Sequence, residues 1–181
     1  MNGRFHLRWL RVALLAAGLA SSSFAQTTGP APLSLTQLTR KAGFVFSGRV
    51  LRVDRPPASP GRVPVVLVFL RVERGLRGAL SGQTFTLTQW AGAWENGAQY
   101  RPGQRLFLFL YPRSPAGLTS VVGGRLGQFQ VDAAGNIVLR GDQQRLLLSP
   151  DEERSPRVRT RPSTKLRYRE FAGRVRRALE E

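Results

Sequence analysis

Arg101-Pro102-Gly103 and Pro112 enclose the run Gln104-Arg105-Leu106-Phe107-Leu108-Phe109-Leu110-Tyr111. Proline fixes φ and lacks an amide hydrogen, so the flanks do not continue a helix. The enclosed run is shorter than the ten or so residues a buried helix wants, and it is rich in aromatics without a polar alternation. Such a run fits a strand buried on both faces. Residues 104–111 are therefore expected at the centre of a β-sheet with material packed on each side.

The segments around it repeat the strand signal. Phe44 to Val53 (FVFSGRVLRV) reads as a first long strand in which Gly48 marks a bulge or bend. Arg55 to Gly61 is a proline-rich loop, and Val63 to Glu73 is a second, β-branched strand ending at a turn framed by Gly75 and Gly78. Thr84 to Trp90 alternates, with Phe85 and Leu87 turned inward. Ala91 to Tyr100 is a loop with an Asn96-Gly97 turn signal, and Thr119 to Val122 is a short strand. Phe129 to Asp132 and Ile137 to Leu139 flank Ala133-Ala134-Gly135-Asn136 as a terminal hairpin.

Helical signals stand at the two ends of this region. Ser34 and Gln37 have the spacing of a capping box, Leu33 and Leu38 that of a hydrophobic staple, and Gly43 follows as a stop. After a basic, proline-containing linker at 150–163, Ser163 is placed to cap a helix over Thr164 to Leu179. Its apolar stripe is Leu166, Phe171, Val175, Ala178 and Leu179, with arginines elsewhere. Such a helix either packs on its own sheet or engages a membrane or partner, and the narrow stripe favours packing. The expected fold is mainly β: a small OB-like β-barrel of five to seven strands, with a short N-terminal helix and a C-terminal amphipathic helix. In domain terms, 26–149 is the barrel, 150–163 the linker and 164–181 the helix.

Residues 1–25 read as a secretory leader: Arg4, Arg8 and Arg11, an apolar core from Val12 to Ala20, and small residues at Ser23 and Ala25. Cleavage is expected between Ala25 and Gln26, giving a periplasmic or secreted bacterial protein of 156 residues without a membrane-spanning segment. The chain has no cysteine, and His6, its one histidine, lies in the leader. Ser-His-Asp and Cys-His catalysis and His/Cys zinc sites are thereby excluded from the mature chain. Its body, residues 26–150, holds five acids, Asp54, Glu73, Glu95, Asp132 and Asp142, with neither calcium-loop nor paired-carboxylate spacing. A hydrolase would need two of them to meet in one pocket. No cofactor, no metal and no enzymatic activity are expected.

The mature chain carries 25 basic and 11 acidic residues, a formal charge of +14. Only Lys41 and Lys165 are lysines, as a GC-rich coding bias would produce; the same charge also suits anionic partners.

Several motifs stand together in 33–179. They are Leu35 to Leu38, Phe44-Val45-Phe46-Ser47-Gly48-Arg49-Val50, Val72-Glu73-Arg74-Gly75-Leu76-Arg77-Gly78, Gly82 to Leu87, Tyr100 to Tyr111, Gly127-Gln128-Phe129-Gln130-Val131 and Tyr168-Arg169-Glu170-Phe171. This set resembles an uncharacterised family of secreted bacterial β-proteins, and its layout is similar to netrin/TIMP-like OB-fold domains. The resemblance implies a fold rather than an activity. The animal domains are disulfide-bonded and chelate a protease metal through an N-terminal cysteine, which is absent here, so that mechanism does not carry over.

The candidate ligand-binding residues are Trp90, Trp94, Tyr100, Arg101 and Arg105, with Tyr111, an aromatic-basic set of the kind OB-folds use for single strands or sugars. The simpler reading puts Trp90 and Tyr111 in the core and Trp94 over the barrel mouth. Arg140-Gly141-Asp142, an adhesion tripeptide on paper, reads as a turn, and Gly123-Gly124-Arg125-Leu126-Gly127 as a flexible connection without a phosphate-loop lysine. The expected function is a non-enzymatic binding or interaction module for a protein or envelope component, centred on the loop around Trp94. The alternative is a charge-driven polyanion binder for nucleic acid or envelope polymer.

Overall fold

A computed structural model of the chain describes residues 33–57, 60–95, 99–147 and 164–181. The leader, the Asn96-Gly97 turn and the linker at 150–163 lie outside these residues. Among the described residues, seven strands form one antiparallel sheet in the order β3-β2-β1-β4-β5-β6-β7. The strands are β1 Phe44–Asp54, β2 Val65–Arg77, β3 Thr84–Trp90, β4 Arg105–Leu110, β5 Gln128–Val131, β6 Asn136–Val138 and β7 Lys165–Arg167. The helices are α1 Leu35–Lys41, α2 Ala91–Glu95, α3 Gly141–Leu146 and α4 Tyr168–Glu180, with a 3-10 turn at Gly124–Gly127.

β4 lies between β1 and β5 and is buried on both sides, as its composition requires. Leu106, Leu108 and Leu110 join one core with Phe46, Val68, Leu70, Phe85 and Leu87. Phe107 and Phe109 join the other with Val45, Phe129, Ile137 and, from the helices, Leu38, Phe171 and Val175. Period-two alternation thus feeds two cores from one strand. Each fully buried Leu or Phe contributes about 1.5–3 kcal/mol.

β1 and β2 pair with three register shifts, which leave Leu76, Glu73 and Leu51 as the extra residues. Bulges twist a strand and re-aim the side chains beside them. At Gly48, as its place in the strand predicts, one shift occurs, and a Cβ there would stand 2.6 Å from the Arg71 carbonyl oxygen. β2 runs on through Gly75 to Arg77, so Gly75 is a strand residue rather than a turn residue.

The expected barrel is not closed. Among the described residues no ladder returns from β3 to β5, β6 or β7. The chain after β4 occupies that gap instead, and Pro112 and Pro115 deny it two of the amides a ladder would use. One amide, Thr119, donates to the Thr88 carbonyl of β3 at 2.9 Å, and the Arg113 side chain donates to Thr86 O at 2.8 Å. The predicted strand at 119–122 is accordingly reduced to a bridge between Leu110 and Val121.

The N-terminal capping box forms as written: Gln37 N–H donates to Ser34 Oγ at 3.2 Å, and Ser34 N–H to Gln37 Oε1 at 3.0 Å. Gly43 is not a left-handed stop. It leads into β1 so closely against Pro112 that a Cβ would lie 2.7 Å from Pro112 Cα.

The C-terminal helix begins at Tyr168, later than expected, because Lys165–Arg167 first pairs with β6 as β7. Leu166 therefore belongs to a strand. Phe171, Ala172, Val175 and Ala178 are buried, and α4 packs beside α1 over the outer face of the sheet. No helix among the described residues is long and apolar enough to cross a membrane.

Candidate functional site: an arginine-lined cleft at the end of the helical cover

The helical cover ends at Tyr168, the first residue of α4. Its hydroxyl lies 2.8 Å from Ser47 Oγ on β1, and Ser47 is itself buried. Burial pushes the Tyr168 phenol above its ordinary pKa, against the Ser47 hydrogen bond and the nearby Arg74, which lower it. It is a neutral hydroxyl at physiological pH.

Beyond it lies a cleft of about 230 Å³ lined by Ser47, Glu73, Arg74, Arg105, Tyr168 and Arg169. Strand alternation and one bulge assemble it. Arg49 and Arg105 are cross-strand partners on β1 and β4, pointing to the same face. Glu73, the extra residue of the bulge opposite Ser47 and Gly48, turns toward them. Arg105 Nη2 donates to Glu73 Oε2 at 2.8 Å, and its Nε reaches both carboxylate oxygens at 3.1 Å. Arg49 Nε stands 3.9 Å from the same carboxylate. The Glu73 hydrogen bond raises the Arg105 pKa against the desolvation that lowers it, so this guanidinium stays charged. Arg74 lies over the Tyr168 ring, 5.0 Å from its centroid.

Two guanidinium groups, Arg105 and Arg49, thus lie against one carboxylate, and Arg74 and Arg169 line the same cleft. The local excess is positive, and hydroxyls and fixed arginine forks are the donors that oxyanions accept. Four of the five body acids can be followed here. Asp54 pairs with Arg52, Glu73 with Arg105, Asp132 with Lys165 and Asp142 with Arg140. Among the described residues no three acidic, histidine or cysteine side chains are grouped to hold a metal ion.

The residues singled out from the sequence do not form one surface. Trp94 and Tyr100 are buried in the first core with ring centroids 5.8 Å apart, and Arg55 stacks over Trp94. Among the described residues the Tyr100 hydroxyl has no partner, and burial pushes its pKa well up. Trp90, by contrast, is 52% exposed at the end of β3 rather than in the core. Tyr111 is half-buried against the second core. Arg101 is exposed, with its amide bound to Gln104 Oε1 in a local turn. Arg105 alone lines the cleft. The residues missed were Ser47, Arg49, Glu73, Arg74, Tyr168 and Arg169. The outward phase of β2, Leu67-Phe69-Arg71-Glu73, is a signal for part of the set; Tyr168 and Arg169 stand in the last of the motifs, which marks a helix and not a cleft.

The two short motifs are structural. Arg140-Gly141-Asp142 starts α3, and the Arg140 side chain donates to the Arg125 carbonyl. The glycine segment is an ordered 3-10 turn held by the buried Gln143, whose amide reaches the carbonyls of Arg125, Leu126 and Gln128. No protein-family model, curated protein or solved structure matches the chain.

Proposed function

We propose that the chain is an exported, non-enzymatic binding module whose contact surface is the arginine-lined cleft and the uncovered sheet face beside it, and that its ligand is anionic. The observation that carries this reading is a cleft where Arg105 and Arg49 lie against the single carboxylate of Glu73 while Arg74 and Arg169 line the walls, next to the Tyr168 and Ser47 hydroxyls. Export rests on the leader at 1–25, and the OB-like kinship on the motif set. The strand order β3-β2-β1-β4-β5, with its seam of one backbone bond at Thr119 and one side-chain bond from Arg113, supports a partly open relative of that barrel.

The second reading, diffuse attraction of polyanions, is favoured by the formal charge of +14 on residues 26–181. The two differ in salt dependence. Retention of 26–181 on immobilised inorganic polyphosphate, together with capture from envelope extract, is measured at low and at high salt. A built site retains a defined partner at moderate salt, whereas diffuse attraction falls steeply and spreads over many anions. Absence of any anion binding at low salt overturns both.

A further inference from the structure

Among the described residues, α1 and α4 cover the outer face of the sheet only as far as Tyr168, and from Arg49 outward no helix lies over it, with Val65, Leu67 and Phe69 half-buried there. Cross-strand partners share a face, so the register gives the order of side chains along it. Val65 faces Trp90, Leu67 faces Thr88 and Asp54, Phe69 faces Thr86 and Arg52, and Arg71 faces Thr84 and Arg49. Arg49 then faces Arg105 at the cleft. The strip is apolar and aromatic at one end and cationic at the other. Trp90 is 52% exposed, and Arg52 lies over the Phe69 ring at 3.9 Å, giving a second flat stacking surface. From Val65 to Glu73 the track runs about 26 Å at ~3.3 Å per residue.

Resting on the anion-binding reading above, we infer that this strip is a track for single-stranded nucleic acid, with bases stacked on Trp90 and on the Arg52–Phe69 pair and phosphates met by Arg71, Arg49 and Arg105. Charge complementarity selects an anionic chain. The exposed Trp90 ring and the Arg52 guanidinium plane over Phe69 select one that presents ring faces, which a duplex keeps stacked inside itself and polyphosphate lacks. A membrane surface fits poorly, since threonines flank the apolar rows on one side and the Arg52–Asp54 pair on the other.

The test uses residues 26–181 and three probes: a labelled oligothymidylate of about twelve nucleotides, its duplex with oligoadenylate, and inorganic polyphosphate. Expected are at least about tenfold tighter binding of the single strand than of either other probe, and quenching of the exposed Trp90 fluorescence. Trp90→Ala should weaken the single strand by roughly 5- to 100-fold, Trp90→Phe should restore most of the affinity, and polyphosphate binding should be unmoved by either. Equal binding of all three probes, insensitive to Trp90→Ala, overturns the track while the anion-binding reading stands. Failure of every probe to bind overturns both.

Discussion

Arg105 on β4 and Glu73 on β2 clasp each other across the intervening β1, Nη2 to Oε2 at 2.8 Å. The pair fixes the arginine fork at the cleft, but its carboxylate also opposes any incoming anion.

Glu73→Gln should therefore raise affinity for polyphosphate or an oligonucleotide by roughly three- to tenfold, since removing one charge a few ångströms away is worth about 1 kcal/mol or more near a surface. Both partners are about a third exposed, so the stability loss should stay at about 0.5–1 kcal/mol. Parallel binding and urea titrations check this; weaker binding by the variant contradicts a repulsive role for Glu73.

Gln143 is fully buried and its side-chain amide serves three carbonyls of the 125–128 turn. Gln143→Leu keeps the volume but removes the amide from the Leu126 and Gln128 carbonyls and the acceptor from the Arg140 amide, which should cost about 2–4 kcal/mol. Thermal unfolding should show it as a clear fall in Tm, and an unchanged Tm would mean the turn is held by other contacts.

Tyr100→Phe should behave oppositely. The hydroxyl is buried without a partner among the described residues, so removing it spares a desolvation penalty of about 1 kcal/mol while the ring keeps its packing on Trp94. Chemical denaturation should show equal or higher stability; a loss above about 1 kcal/mol would point to a hydroxyl that is satisfied in solution.

Much of the fold was legible because the deciding signals were local. The flanking prolines and apolar run of 104–111 specified a doubly buried strand, Ser34 with Gln37 specified a cap, and Gly48 specified a bulge. Failure of the barrel to close was not legible, since it depends on how 112–122 lies between β4 and β3. The site was less readable still. Trp94 and Tyr100 look the same in sequence whether they plug a core or face a ligand. Glu73 meets Arg105 only through the β1–β2 bulge, and Tyr168 meets Ser47 only because β7 sets where α4 begins.

The hairpin that supports β7 should be acid-sensitive. The Asn136 amide, with Lys165 adding, holds the Asp132 carboxyl below its ordinary pKa despite desolvation. A depressed carboxylate stabilises the folded state above the unfolded value, near pH 4, and loses that contribution as pH falls through its lower folded value. Protection of the Asn136 amide, relative to its intrinsic exchange rate, should fall over that acid window, and Asp132→Asn should flatten the dependence. The same acid limb in the variant would assign it elsewhere.

The most direct measurement compares two triple variants of residues 26–181 with equal loss of charge. Arg49→Ser/Arg74→Ser/Arg169→Ser leaves Arg105 as the one arginine of the set at the cleft, and Arg40→Ser/Arg62→Ser/Arg145→Ser removes exposed arginines elsewhere on the surface. At one fixed salt concentration the first should lose at least about tenfold in affinity for a single-stranded oligonucleotide and the second no more than about twofold. Equal losses would show that overall charge, and not the cleft, does the binding.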